Sequence, residues 1–123
     1  AKRVGILTPY EKGVNKLVQK SMEDRGFVIP VFGSFNENHD PTVASINKDS
    51  LLRAIRKMLS SAKVDAIFIS CTSVKIADSI TEIENEIGIP VTSSNHALAW
   101  HCLRLAGIND LIPESGKLFQ TTL

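Results

Sequence analysis

Two rhythms alternate along the chain: short unbroken apolar runs that suit strands, and stretches with an apolar residue every third or fourth position that suit amphipathic helices. Arg3 to Leu7 (RVGIL) is an apolar run closed by Thr8, Pro9 and Tyr10, and reads as a buried strand. From Lys12 to Arg25, Val14, Leu17, Val18 and Met22 fall three and four apart and Gly26 follows as a stop, which predicts a helix. Phe27 to Phe32 (FVIPVF) reads as a second strand; Pro30 lacks the N–H that a ladder needs, so an edge position is expected. Gly33 to Asp40 is polar and rich in turn residues, a loop. Asp40 is an N-cap, with Pro41 first in the helix. That helix carries Val43 and Ile46, then Leu51, Leu52, Ile55, Met58 and Leu59, with a bend or restart near Asp49 and Ser50. Val64 to Ser70 (VDAIFIS) is the most continuous run and suits a central parallel strand covered on both faces. Ile76, Ile80, Ile83 and Ile87 mark another helical face, closed by Gly88. Pro90 to Thr92 makes a short fourth strand, and Ser94 caps a last helix from His96 to Ala106, ended by Gly107.

Strands alternating with helices imply right-handed parallel crossovers and an α/β doubly wound, Rossmann-like sheet of roughly four strands. Residues 1–107 make up this domain. Residues 108–123 are apolar in places but find no partner in the pattern, and are expected to pack on another domain. At 123 residues the chain suits one hydrophobic core rather than two. It opens on Ala1 and enters a strand almost at once, as expected of a trimmed piece of a longer protein.

Charge narrows the function classes. Fourteen basic and 13 acidic residues are mixed along the chain, so nothing calls for nucleic acid or an anionic membrane. The apolar runs are strand-sized, short of the ~18 residues that span a bilayer, and no signal-peptide layout is present. A cytoplasmic protein is expected, with Cys71 and Cys102 both reduced.

In an open parallel sheet, ligands bind beyond the carboxyl ends of the strands. Four stretches converge there: Thr8-Pro9-Tyr10, the loop with Asn36 and Asn38, Ser70-Cys71-Thr72-Ser73, and Ser93-Ser94-Asn95-His96. Cys71 should lie at or before the first turn of the following helix, where unpaired N–H groups and the helix dipole stabilise a thiolate. The plain alternative is a small core hydrophobe. Its neighbours Ser70, Thr72 and Ser73 are hydroxyls rather than aliphatics, which favours a polar ligand. Thr72, Ser73 and Ser94 have capping as their ordinary role, Asn36 and Asn38 turn formation, Tyr10 loop packing, and His96 surface or packing duty. The cysteines and the three histidines do not form a spaced metal-ligand set, and GSFNEN lacks the glycines and lysine of a phosphate loop.

The segments VGILTPY, AIFISCTS and IGIPVTSSNHALAWHCLRLAG, in this order, resemble the second half of the aspartate/glutamate racemase superfamily, most closely its maleate cis-trans isomerase and arylmalonate decarboxylase branch. The resemblance spans nearly the whole chain. It implies a flavodoxin-like three-layer sandwich forming one half of a pseudo-symmetric two-domain fold, with the active site between the halves and no cofactor. It also implies that Cys71 is the second-half catalytic thiol, that Tyr10 and Thr72 hold a substrate carboxylate, and that a middle-loop asparagine, Asn36 or Asn38, touches substrate. Ser73, Ser94, Asn95 and His96 complete the candidate substrate-binding set. The family's first half, with its own cysteine, has no counterpart here, and Cys102 on the last helix is no substitute. A lone half is therefore expected to be inactive, and to pair with the missing half or with a second copy of itself.

The chemistry needs no family to state. Removing a proton beside a carboxylate requires a nearby base and donors where enolate charge develops, and a soft thiolate can also add reversibly to a carbon–carbon double bond. The preferred expectation is one half of a cofactor-independent isomerase or racemase for a small dicarboxylate, with an arylmalonate-type decarboxylase as the nearest variant. A non-catalytic flavodoxin-like binding domain is the alternative from another class. A cysteine hydrolase pairing Cys71 with His96 lacks a third, orienting residue.

Overall fold

The computed structural model describes residues 1–36 and 39–123. Its strands are β1 (Val4–Thr8), β2 (Phe32–Ser34), β3 (Ala66–Ile69) and β4 (Val91–Ser93), all parallel, in the order β2-β1-β3-β4. The helices are α1 (Lys12–Glu23), α2 (Asp40–Ala44), α3 (Lys48–Ser61), α4 (Ile80–Ile87) and α5 (Ser94–Leu105). Single helical turns sit at Ala77–Ser79, Pro113–Ser115 and Leu118–Gln120. The α/β class, the four-strand parallel sheet and the edge position of the second strand agree with the sequence pattern.

The second strand itself lies later than the apolar run suggests. Before Pro30 only Val28 pairs, in an isolated bridge to Arg3, and the regular ladder begins at Phe32, beyond the residue that cannot donate. The helix after β3 also starts later, at Ile80 rather than Ile76. Ile76 is buried in irregular chain, so its four-residue spacing to Ile80 reflects core packing and not helix. The long helical pattern after Asp40 does restart: Asn47 caps α3 by accepting from the Ser50 N–H at 2.9 Å.

Leu51, Ile55 and Met58 of α3 pack with Leu7, Ile67 and Ile69 in a single apolar cluster. Met58 is admitted by two glycines. A Cβ on Gly5 would stand 3.3 Å from its methyl carbon, and one on Gly33 2.8 Å from its sulfur. Along β4, Thr92 points away from Val91 and Ser93 and meets His96, which puts α5 on the sheet face opposite α3. Although α1 has a clear apolar stripe, none of its residues is buried, and Leu17 is 70% exposed.

The segment for which the sequence offers no partner finds one in this chain. Buried Glu84 of α4 accepts from the N–H of Val91 and from that of Lys117, both at 2.8 Å, tying the base of β4 to the returning tail. Buried Arg104 of α5 donates to the carbonyls of Ile108, Phe119 and Thr121 at 2.8, 3.0 and 2.9 Å. Gly116, at φ +91°, lets the strap lie flat on α4, since a Cβ there would come within 2.7 Å of Ile80. Ile108, Leu111 and Leu123 remain exposed.

Ahead of the two central strands, the Asp65 carboxylate accepts from the backbone N–H groups of Arg3 (2.9 Å) and Lys2 (3.0 Å). Those bonds favour the charged form and hold its pKa below the ordinary carboxylate value. A carboxyl whose folded pKa is depressed stabilises the fold above its unfolded pKa and loses that contribution as pH falls through the folded value. Hence the gap in melting temperature between the wild-type protein and Asp65→Asn is expected to narrow as pH drops from about 7 to about 3, measured by thermal unfolding across that range. Glu84→Ala leaves the buried Val91 N–H and the Lys117 N–H without their acceptor and is expected to cost about 2–4 kcal/mol in denaturant unfolding.

Candidate active site

Chain connections run from β1 outward to β2, then back across to β3 and on to β4, so the strand order reverses between β1 and β3. Open α/β sheets bind ligands at such a reversal, because neighbouring loops part there and leave a crevice. Leu7 is in register with Ile69, and the Ser70 N–H donates to the Leu7 carbonyl at 2.9 Å. Thr8-Pro9-Tyr10 and Ser70-Cys71 therefore leave the sheet side by side.

Cys71 turns out of β3 immediately, its N–H donating to the Ile69 carbonyl at 3.2 Å. It is buried, within the same apolar cluster as Val74 and Ile76, and its Sγ accepts a hydrogen bond from the Ser73 N–H at 3.3 Å. This corrects the expectation of a helix N-terminus at the thiol: α4 begins nine residues later at Ile80, so the donor to sulfur is a loop amide and not a helix dipole. Thr72 is exposed and Ser73 half-buried beside it. Cys102 is also a free thiol, exposed on α5.

On the β1 side, a small network fixes the turn that carries Tyr10. Thr8, fully buried at the strand end, accepts from the Tyr10 N–H at 3.2 Å and donates through its hydroxyl to Asn15 Oδ1. Asn15 Nδ2 in turn donates to the Tyr10 carbonyl at 2.9 Å, which also accepts from the Ser34 hydroxyl. Asn15 and Ser34 did not stand out in the sequence, which places Thr8 at this edge without a role of its own. The available signal was a polar asparagine within the amphipathic α1 pattern, together with hydroxyl residues at the carboxyl ends of β1 and β2. Tyr10 itself is half-buried against the core cluster. Asn36 is exposed after β2 in the left-handed region at φ 51°, its N–H bonded to the Ser34 hydroxyl at 3.0 Å. Asn38 lies outside the described residues.

The last helix starts two residues earlier than its pattern implies, and its cap is Ser93, whose Oγ accepts from the His96 N–H at 3.3 Å. Ser94 is thus the first helical residue and not the cap. Asn95 reaches back from the end of β4 to the Thr72 carbonyl, in the loop after β3, at 2.9 Å. His96 is turned the other way. It is buried, its Nδ1 is 2.9 Å from the Thr92 hydroxyl, its Nε2 is 2.7 Å from the Ser115 carbonyl, and its ring lies 4.7 Å from that of Phe119. A carbonyl only accepts, so Nε2 carries the proton and Nδ1 takes the threonine hydroxyl. With Nδ1 held by Thr92 of β4 and Nε2 by Ser115 of the C-terminal strap, His96 is a packing residue in this structure. The cysteine hydrolase reading loses its base.

Comparison with known proteins adds an independent line. The profile of the arylmalonate decarboxylase family matches residues 1–119. The chain is 30% identical over 121 residues to a maleate isomerase of Nocardia farcinica, covering 98% of this chain and 48% of that protein. It is 28% identical over 120 residues to an arylmalonate decarboxylase of Bordetella bronchiseptica, covering 96% of this chain and 50% of that one. Among solved structures, a Nocardia farcinica maleate cis-trans isomerase, a cysteine-to-serine variant with a covalently bound succinylcysteine intermediate, superposes at a TM-score of 0.89 with 28% identity, over 98% of this chain and 49% of the other. The chain thus spans about half the length of the curated relatives it matches.

The network around Tyr10 can be tested by Asn15→Ala. This change takes a partner from both the Thr8 hydroxyl and the Tyr10 carbonyl, and is expected to cost about 1–2 kcal/mol in denaturant unfolding. Amide hydrogen exchange should speed up at Tyr10 while the β3 amides keep their protection.

Proposed function

The chain belongs to the arylmalonate decarboxylase family, and on that premise we propose that it is one half of a cofactor-independent isomerase for a small dicarboxylate of the maleate type, with Cys71 as a catalytic thiol. The observation that carries the proposal is Cys71 at the crevice between β1 and β3, its sulfur already receiving an amide N–H. The covalent cysteine adduct held by a structural relative supports thiol chemistry on such a substrate.

Two balanced steps suit a thiol at this place. As a thiolate, Cys71 adds to one olefinic carbon: a C–S bond forms, the π pair moves onto the neighbouring carbon and its carboxylate, and the remaining single bond rotates. Breaking the C–S bond returns the pair to a trans double bond and releases the thiolate. As a thiol, Cys71 instead hands its proton to that neighbouring carbon while a cysteine of the other half forms the C–S bond, and takes the proton back on elimination. Tyr10, Thr72 and Ser73 surround this carbon in the proposal and hold its carboxylates, and one middle-loop asparagine, Asn36 or Asn38, contacts the substrate. The family profile also supports a second reading, in which the thiol protonates the enediolate left after CO2 departs from an arylmalonate.

A second half is needed to close the crevice from above, supplied by the rest of the natural protein or by another copy of this chain. Leu17 on α1 and Leu98 and Leu105 on α5, exposed at 70%, 62% and 68%, supply apolar surface for such a contact. Among the described residues no helix is long and apolar enough to cross a membrane. The proposal places the enzyme in the cytoplasm, where a free thiol persists.

The test is an assay of the intact natural protein for conversion of maleate to fumarate, with CO2 release from an arylmalonate in parallel. Cys71→Ser is expected to lower kcat/KM for the active substrate by at least about 10²-fold, and residues 1–123 alone are expected to be inactive. Mass spectrometry of the protein trapped with substrate separates the two roles: an adduct on Cys71 marks the nucleophile, and an adduct on another cysteine marks Cys71 as the proton carrier. A protein inert toward both substrates, with Cys71→Ser indistinguishable from wild type in ligand binding, would leave a binding domain.

A further inference from the structure

The N–H that reaches Cys71 and the carbonyl that Asn95 grips belong to one peptide unit. Thr72 C=O and Ser73 N–H are the two polar ends of a single planar trans peptide and point in opposite directions. At one end Asn95 Nδ2 donates to the Thr72 oxygen at 2.9 Å, and at the other the Ser73 N–H donates to Cys71 Sγ at 3.3 Å. The orientation of the Asn95 amide follows from its partner, since a carbonyl can only accept.

From this geometry we infer that Asn95 is a positioning residue that sets the reactivity of Cys71 through the Thr72–Ser73 peptide. Two effects act together. Held at its oxygen, the peptide plane cannot rotate its N–H away from sulfur. A hydrogen bond to the oxygen also polarises the unit and strengthens the N–H as a donor. Asn95 can serve as a fixed post because its own backbone is anchored, as the second residue of a helix capped by Ser93, which is itself in register with Ile69 just ahead of the cysteine. The brace therefore runs from β4 across to the loop after β3. Asn95 is solvent-exposed, and its removal opens no cavity in the core. This assignment replaces direct substrate binding as the role of Asn95, and it rests on the reading of Cys71 as a reactive thiol.

The experiment is peptide-resolved iodoacetamide labelling of the intact natural protein as a function of pH, for the wild type, Asn95→Ala and Asn95→Gln, with steady-state kinetics on the active substrate. Asn95→Ala is expected to slow labelling of Cys71 at neutral pH about three- to tenfold, the span of one ordinary hydrogen bond, and to move its pH profile upward. Asn95→Gln, which keeps the donor, should recover most of the rate. Labelling of Cys102 and the thermal midpoint should stay unchanged in both, and kcat should fall while KM holds. An Asn95→Ala protein whose Cys71 profile matches the wild type overturns the brace and leaves the role of Cys71 standing; so does a rise in KM with an unchanged profile, which would make Asn95 a substrate contact. A wild-type Cys71 that never labels, in a protein inactive on both substrates, overturns the brace and the proposed function together.

Discussion

The reactive edge of this domain depends on the parallel pairing of β1 with β3. Four aligned residue pairs, from Val4 with Ala66 to Leu7 with Ile69, join two strands whose chains then leave toward different partners. A slip of one residue would exchange the inner and outer faces of each strand. It would turn Ile67 and Ile69 away from α3. The apolar cluster under the sheet thus sets the register, and the register decides that Thr8 and Cys71 are neighbours.

What the crevice floor presents as a result is made of neutral dipoles. Thr8, Ser34, Ser70 and Ser93 stand at or just beyond the ends of adjoining strands, and the contact found at the sulfur is a peptide N–H. Two asparagines do comparable work on either side. Asn15 from the first turn of α1 holds the Tyr10 carbonyl, and Asn95 from the first turn of α5 holds the Thr72 carbonyl, each at 2.9 Å. Each helix start thereby stiffens a loop at the crevice that would otherwise rely on its own turn geometry. Such bracing suits chemistry in which charge develops during reaction, because the donors need not reorganise when it does.

Much of this fold was legible in the pattern because a parallel sheet with helical crossovers writes two distinct periods into its sequence. The edge position of β2 followed from one residue, Pro30, and the restart of the long helical pattern from the polar break ahead of Leu51. A misplacement occurred where an apolar residue serves the core from irregular chain: Ile76 imitates the start of the next helix, so the distance between Cys71 and α4 could not be read. The pairing of Thr8 with Asn15 passed unnoticed because a hydrogen bond between a strand end and a helix four residues into its course leaves no periodic trace. His96 misled for a related reason. Its place beside a candidate loop was correct, but the direction of its ring depends on Thr92 and on Ser115, the latter 19 residues further along the chain. Family resemblance supplied roles for Cys71 and Tyr10 that spacing could not, and said nothing of how their loops are held.

The C-terminal strap is gripped almost wholly by its backbone. Arg104 takes the carbonyls of Ile108, Phe119 and Thr121, Trp100 shares that of Thr121, His96 that of Ser115, Thr81 that of Glu114, and Glu84 takes the Lys117 N–H. Main-chain atoms are the same whatever side chain they bear. The identities of most strap residues are therefore free to drift over evolutionary time without disturbing its path, whereas Glu84, His96 and Arg104, which lie outside it, are not. Gly116 and the buried Phe119 are the exceptions within the strap, one because it has no room for a side chain and the other because it fills the space against His96.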